Sequence, residues 1–416
     1  MALSAQEQQV CKDIADRHEQ LLDDLRLFVE IPTGGFHTPG IDETRDRLQT
    51  RLETIGAQTT LAPPGPKPDW LLGADSDTSA PVTAVCTRLM PSRPRVLIAG
   101  HLDTVHHPES DFCELTIAPD GQTATGPGCV DMKGGLVIAV TALEALEACS
   151  LEASWSFLMN ADEETGSYHS EAALREQATQ HDIGLAIEPA LPGGELAVER
   201  MGSGQFLIET HGRSAHVGRA FTEGVSAVTA LAKAIVAVGD MPRPEEGRIL
   251  NIGPLQGAAA TNAVPDLARA WGNVRYPSNA VADDMGADLE ALATDPDAMP
   301  AVIVKRSFNR PAKKETPQVT ALALGARSVA EDLGQKLPFT KTGGVCDGNI
   351  LQDAGLPSID TLGVRGGGLH TPIEWIELAS LVERCQLFAV LVHRLTTGQI
   401  EIPAQDPLKN RERTSS

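Results

Sequence analysis

VLIAGHLDTV, residues 96–105, is the stretch that decides the fold: an unbroken apolar run that ends in His101 and, two residues on, Asp103. A short run of this kind reads as a strand buried on both faces, as in a parallel sheet covered by helices. Trp155–Met159 and Leu185–Ile187 have the same character, and acidic residues follow each of them. FLMNADEETG carries the pair Glu163-Glu164, and LAIEP carries Glu188. Outside the strands, Asp131 sits in the glycine-flanked GPGCVDMKGG and His370 in GGGLHTP. In α/β sheets the carboxyl ends of the strands converge on one crevice. Two histidines and four acidic residues at such positions are the ligands that divalent metals with hydrolytic chemistry prefer. The arrangement predicts a metallohydrolase.

Charge balance sharpens this. Asp131, Glu164 and Glu188, taken as ligands with His101 and His370, form a triply negative cluster that two divalent ions and a bridging hydroxide would neutralise. In two-metal sites the ions lie about 3.5–4 Å apart and share a carboxylate, and Asp131 in its turn is the natural bridge. Glu163 and Glu164 are adjacent, so their side chains leave the backbone in different directions. One can bind metal while the other stays free as a base. Asp103 lies on the same face as His101 in extended chain, where it can orient that imidazole. Each feature alone has a duller reading, such as a solvated turn, a helix cap or a loop residue; their coincidence carries the weight.

Around these residues, apolar spacing predicts a helix over Ala5–Ile31, another over Asp42–Ile55, and helices at Gly134–Leu146, Glu171–Ala178, Gln318–Leu333 and Glu377–Leu395. Strands are expected at Thr83–Thr87, Arg95–Ala99 and Ser358–Leu362, with a loop at Pro63–Pro66. The result is an α/β fold with a mainly parallel sheet flanked by helices. From about Ala197 the pattern changes. Strand Gln205–Thr210, helix Thr222–Val238, strands Ile249–Leu255 and Leu267–Tyr276, helix Val281–Ala293 and strand Ala301–Phe308 give the order β-α-β-β-α-β. That is a ferredoxin-like α+β unit inserted in the larger domain. The expected division is a catalytic domain over 1–199 and 309–416, interrupted by a lid and dimerisation domain over 200–308.

Composition narrows the partners. The chain of 416 residues has 34 Lys+Arg against 56 Asp+Glu, a formal charge of -22. Nucleic acid and anionic membrane surfaces both demand a basic face, so neither is expected. No run of eighteen apolar residues marks a membrane span, and the N-terminal residues show no secretory pattern. The seven cysteines are scattered and none forms CxxC, which suits reduced thiols and a cytoplasmic location. The tail PAQDPLKNRERTSS is polar and expected to fray.

The motifs GHLDTV, GPGCVDMKGG, ADEETGS, IEP, GRSAHVGRAFTEGVSA, TNAVP, NVRYP, GGVCD and GGLHTP occur here in one order along nearly the whole chain. In this the sequence resembles the co-catalytic dizinc aminoacylase/carboxypeptidase family, and most closely its glutamate carboxypeptidase branch. Acetylornithine deacetylases and succinyl-diaminopimelate desuccinylases are other branches. The resemblance implies two zinc ions, with cobalt or manganese as substitutes. Asp131 would bridge them, Glu164 and His370 would hold one, and His101 and Glu188 the other. It casts Glu163 as general base and later proton donor, with water activated between the metals. It gives His216 the stabilisation of the oxyanion from the neighbouring subunit of a homodimer. Arg275 would take the substrate's free carboxylate, with Asn262 and Gly344 also binding substrate. The simpler readings stay open: His216 as a helix cap, Arg275 in a surface ion pair, Asn262 serving the turn before Val264-Pro265. The chain departs from the family pattern at Met132, at Cys346 before Asp347, and at Ile373-Glu374 after the last ligand histidine.

The expected reaction is hydrolysis of a small amide whose amine half bears a free carboxylate. An N-acyl-amino-acid deacylase is the alternative, and a non-catalytic dimeric binding protein a remote one. No GxSxG supports a serine nucleophile.

Overall fold

The computed structural model describes residues 2–35, 37–72 and 80–403, so the polar tail from residue 404 lies outside the described residues. Its central sheet contains β1 (Gln58–Ala62), β2 (Thr83–Arg88), β3 (Val96–His101), β4 (Trp155–Asn160), β5 (Ile183–Ala186) and the short strand Ser358–Ile359. The spatial order is β1-β2-β4-β3-β5 and then Ser358–Ile359. β3 is parallel to both β4 and β5, and β5 is parallel to Ser358–Ile359. Only β1 with β2 and β2 with β4 run antiparallel, so the sheet is mainly parallel as expected.

The period-two alternation of the strands divides the core. Val96, Ile98 and Phe157 pack on the side of the helices Gly134–Ala148, Pro317–Asp332 and Ala379–Thr396. Leu97, Ala99 and Leu158 pack on the opposite side, against the helices Glu171–Gln180 and Asp347–Asp353. Burying each such aliphatic side chain stabilises the fold by about 1.5–3 kcal/mol. Gly135 opens one helix where a β-carbon would fall 2.3 Å from the Ile187 carbonyl oxygen, so only glycine lets that helix meet the end of the sheet.

Two expectations along this domain need correction. The single helix expected over Ala5–Ile31 is two, Ala5–Asp16 and His18–Glu30. The Arg17 N–H bonds the Ile14 carbonyl, three residues back, and its side chain turns to Asp13, so the ladder breaks there. The strand expected over Ser358–Leu362 stops at Ile359. Asp360 leaves the sheet to meet Arg200 and Lys313, and Thr361 takes φ +62°.

The inserted unit has its own sheet and core. β6 (Gly202–His211), β7 (Ile249–Gly257), β8 (Leu267–Tyr276) and β9 (Ala301–Arg310) lie in the order β7-β8-β6-β9, all antiparallel. Helices Ala227–Gly239 and Asn279–Glu290 complete β-α-β-β-α-β. The first of these starts later than expected. Ser226 Oγ accepts the Thr229 N–H at 3.1 Å and caps it there, while Phe221–Glu223 forms a separate turn. Leu231 and Val238 face the sheet, whereas Val228 of the same helix is 42% exposed. No helix among the described residues is long and apolar enough to cross a membrane.

The two ends of the larger domain are joined by charge. Buried Arg394 donates from Nε to Glu7 Oε1 at 2.6 Å and from Nη1 to Asp332 Oδ2 at 2.7 Å. Burial alone would raise the Glu7 carboxyl, but the bonds from Arg394 and Ser4 outweigh it and hold it below its ordinary value. Replacing Glu7 by Ala leaves Arg394 half-compensated and is expected to cost about 3 kcal/mol at pH 7 in urea unfolding. Because the folded-state carboxyl titrates below the unfolded one, its contribution is complete at neutral pH and fades as pH falls below about 4. The gap between wild type and Glu7→Ala should therefore narrow in acid; a gap independent of pH would refute the assignment.

Candidate metal centre and its cleft

His101 and Asn160 are paired at the ends of β3 and β4. The chain leaves β4 and within four residues reaches Glu163 and Glu164, while β5 leads to Glu188. Three parallel strand ends thus deliver their side chains to one place. Asp131 arrives from the turn Gly128–Lys133 that precedes helix Gly134–Ala148. His370 arrives from the loop after Gly366–Gly367. There a β-carbon on Gly366 would lie 2.1 Å from the Trp375 carbonyl oxygen, and His370 itself sits at φ +62°.

The carboxylate of Asp131 stands between the two imidazoles. Its Oδ1 is 3.2 Å from His101 Nε2, and its Oδ2 is 3.6 Å from His370 Nε2. Glu164 Oε2 is 3.2 Å from His370 Nε2, and Glu188 Oε2 is 3.9 Å from His101 Nε2. His101, Asp131 and Glu164 each offer a ligand atom within 4.8 Å of the others. His101 Nδ1 donates to the Asp103 carbonyl at 2.9 Å, which leaves Nε2 turned toward Asp131.

Asp103 does more than face His101. Its carboxylate accepts the Glu163 N–H at 3.2 Å on Oδ1 and the Glu164 N–H at 2.9 Å on Oδ2, and Oδ1 lies 3.5 Å from His101 Nδ1. One carboxylate therefore fixes the acidic pair to the histidine strand. Glu374 acts likewise on the Asp131 turn. It accepts the N–H groups of Gly128, Val130 and Asp131, each at 2.9 Å, and contacts His106 Nε2 at 2.7 Å. The departure at Ile373-Glu374 thus keeps its buried acid.

Burial drives the electrostatics. It pushes Glu188 well above the ordinary carboxylate range, raises Glu164, and takes Glu163 up to about 7 against the opposing pull of Arg310. Burial would also raise Asp131, but the imidazoles outweigh it and hold that group well below its usual range. Hydrogen bonds to Asp131 and Glu164 raise His370 to about 10. A cluster that draws protons onto imidazoles calls for positive charge amid oxygen and nitrogen donors. Divalent cations fit that donor set.

Arg310, which no motif announced, closes β9 and is buried beside the acidic pair. Its Nη1 lies 2.9 Å from Glu163 Oε1, and its Nη2 donates to the Glu163 carbonyl at 2.9 Å. Ser203 pairs with Arg275 on one neighbouring strand and with Arg310 on the other. Among the described residues Arg275 has no carboxylate within ion-pair distance; it donates only to Asn273 Oδ1 and the Val274 carbonyl. These groups line a cavity of about 760 Å³ that also takes in Gly344, whose carbonyl accepts from Arg200 at 3.1 Å. His216 and Asn262 do not line it. Both are exposed, at the short two-stranded ribbon where Ala215–His216 pairs with Ala263–Val264. There His216 Nδ1 accepts the Gly218 N–H at 3.1 Å, and the Asn262 carbonyl accepts the Val217 N–H at 3.0 Å.

Residues 97–394 match Peptidase family M20/M25/M40. Carboxypeptidase G2 from Pseudomonas sp. (strain RS-16) is 26% identical over 392 residues, covering 92% of this chain and 91% of the relative. A succinyl-diaminopimelate desuccinylase from Methylorubrum populi is 27% identical over 336 residues, 74% of this chain and 84% of its own. The crystal structure of a Staphylococcus aureus tripeptidase superposes with a TM-score of 0.72 at 21% identity, covering 91% of this chain and 99% of that one.

Replacing Glu374 by Ala removes the acceptor for three backbone N–H groups around Asp131. Divalent-metal affinity, measured by equilibrium dialysis, should fall by about 10–100-fold. Unchanged affinity would mean that the turn keeps its shape unaided.

Proposed function

Since the chain belongs to Peptidase family M20/M25/M40, we propose that it hydrolyses an amide bond whose amine half carries a free carboxylate. It is a metallohydrolase of amide bonds; the substrate and the roles below are the proposal. The observation that carries it is Asp131 shared between His101 and His370 in a cavity also lined by Arg275, which has no carboxylate partner among the described residues.

In this reading Asp131 would serve both of two zinc ions, with cobalt or manganese as substitutes. His101 and Glu188 would hold one of them, and Glu164 and His370 the other. When bound, such ions lower the pKa of water and polarise a carbonyl. Glu163 accepts the proton of the attacking water and returns it to the leaving nitrogen. Arg310 keeps Glu163 in place through both its carboxylate and its carbonyl. Asp103 holds the Glu163-Glu164 turn against His101. Arg275 grips the substrate carboxylate, for which a guanidinium can supply two parallel donors, with Gly344 bordering the same space.

Residues 1–199 and 309–416 form the catalytic domain, and 200–308 the lid. His216 and Asn262 lie outside their own chain's cavity, which supports a homodimer through the inserted unit in which His216 steadies the oxyanion of the partner's site. None of the seven cysteines is in a disulfide, which suits a cytoplasmic enzyme. The likeness to a desuccinylase supports a second reading, an N-acyl-amino-acid deacylase, since Arg275 would serve either.

The decisive substitution is Glu163→Gln. Turnover of a responsive amide, found in a panel of N-acyl amino acids and dipeptides, should drop by about 10²–10⁴-fold while bound metal per chain stays at the wild-type level. Near-normal turnover would remove Glu163 from the role of base. A panel with no hydrolysed member would remove the amide reading.

A further inference from the structure

Between β1 and β2 the described stretch Pro63–Leu72 is tied to both domains. On the catalytic side the Gly65 N–H donates to the His169 carbonyl at 2.7 Å, and His169 Nδ1 lies 2.8 Å from the Gly65 carbonyl. On the lid side the Trp271 indole N–H donates to the Trp70 carbonyl at 2.7 Å. Trp271 belongs to β8, so this stretch forms a strap across the junction between the two units.

Where the strap lands follows from the pleat. Trp271, Asn273 and Arg275 alternate along β8 and share one face, the face that meets the cleft. Arg275 is level with Ser203, next to Arg310 and the Glu163 turn; Trp271 lies four residues away, roughly 13 Å along the strand. The strap therefore closes the cleft beyond Arg275, on the side away from the acidic cluster. Three of its residues line the cavity, Lys67 and the apolar pair of Leu71, which is buried, and Leu72, which is 52% exposed. A leucine left open on a cavity wall is a surface waiting for an apolar ligand group.

Resting on the reading of Arg275 as the carboxylate anchor, we propose that this strap is the specificity element of the site. A substrate whose carboxylate sits on Arg275 extends the side chain of its amino-acid half toward Leu71 and Leu72. The preferred substrates are thus amides of amino acids with a bulky apolar side chain, aromatic or long aliphatic. Trp271 is a positioning residue: it touches no substrate and acts by holding the strap.

The test compares N-acyl amides of alanine with those of leucine and phenylalanine. Wild type should favour the bulky pair. In Leu72→Ala the ratio of kcat/KM for the phenylalanine amide to that for the alanine amide should fall ~tenfold, the loss expected for one leucine's apolar contact. Trp271→Phe keeps an aromatic ring but loses the donor to Trp70. It should raise KM for the bulky amides by roughly fivefold with kcat retained, the scale of one hydrogen bond. Affinities for the same amides on Glu163→Gln, by calorimetry, give the preference without turnover. Bulky preference in binding but no hydrolysis by wild type would overturn the catalytic reading alone. Equal affinity for alanine and phenylalanine amides, or a ratio unmoved by Leu72→Ala, would overturn the strap as selector.

Discussion

Crowding of like charge on the wall of one cleft is the constraint on which the rest of this molecule turns. Asp131, Glu164 and Glu188 meet buried His101 and the more exposed His370 there, and Glu163 is the chain neighbour of Glu164. Carboxylates held so close repel one another, and burial adds its own cost to every ionised group. The geometry survives because it is imposed from outside the cluster. β3, β4 and β5 are held in parallel register by apolar packing on both faces, and their ends can go nowhere else.

A second tier of buried charge completes the imposition. Asp103 collects the N–H groups of the acidic pair, Glu374 those of the Asp131 turn, and Arg310 the carboxylate and carbonyl of Glu163. Farther back, Asp360 is clamped by Arg200 and Lys313, and Arg200 in turn holds the Gly344 carbonyl at the cavity edge. Each of these residues spends its charge on backbone or on a partner. Arg275 differs in having no carboxylate at ion-pair distance among the described residues; it donates to Asn273 Oδ1 and the Val274 carbonyl. The proposed function places the substrate anion there for that reason.

Much of this could be read in the sequence, for identifiable reasons. Strands such as Val96–His101 and Trp155–Asn160 are apolar throughout because both faces are covered, so their runs stand out and their polar ends with them. The inserted unit was equally plain, since β8 alternates buried and half-buried residues along its length. What escaped is what lacks a pattern. β1 lies at a sheet edge with mostly exposed side chains, and the four-stranded sheet around Thr116–Ile117, Thr123–Thr125, Gly366–Gly367 and Trp375–Glu377 is made of strands too short for any period. Arg310 acts on Glu163 across a separation of 147 residues, and no local spacing encodes such a pairing. The strap at Pro63–Leu72 reads as a plain proline-rich loop until its hydrogen bond to Trp271 is seen.

The proposed function requires the cluster to hold two cations, one on either side of Asp131. Anomalous scattering from crystals grown with zinc, recorded at the zinc absorption edge, tests this most directly. Two peaks are expected about 3.5–4 Å apart, one beside His101 and Glu188 and one beside Glu164 and His370, with Asp131 between them. A single peak, or none within reach of Asp131, would contradict it.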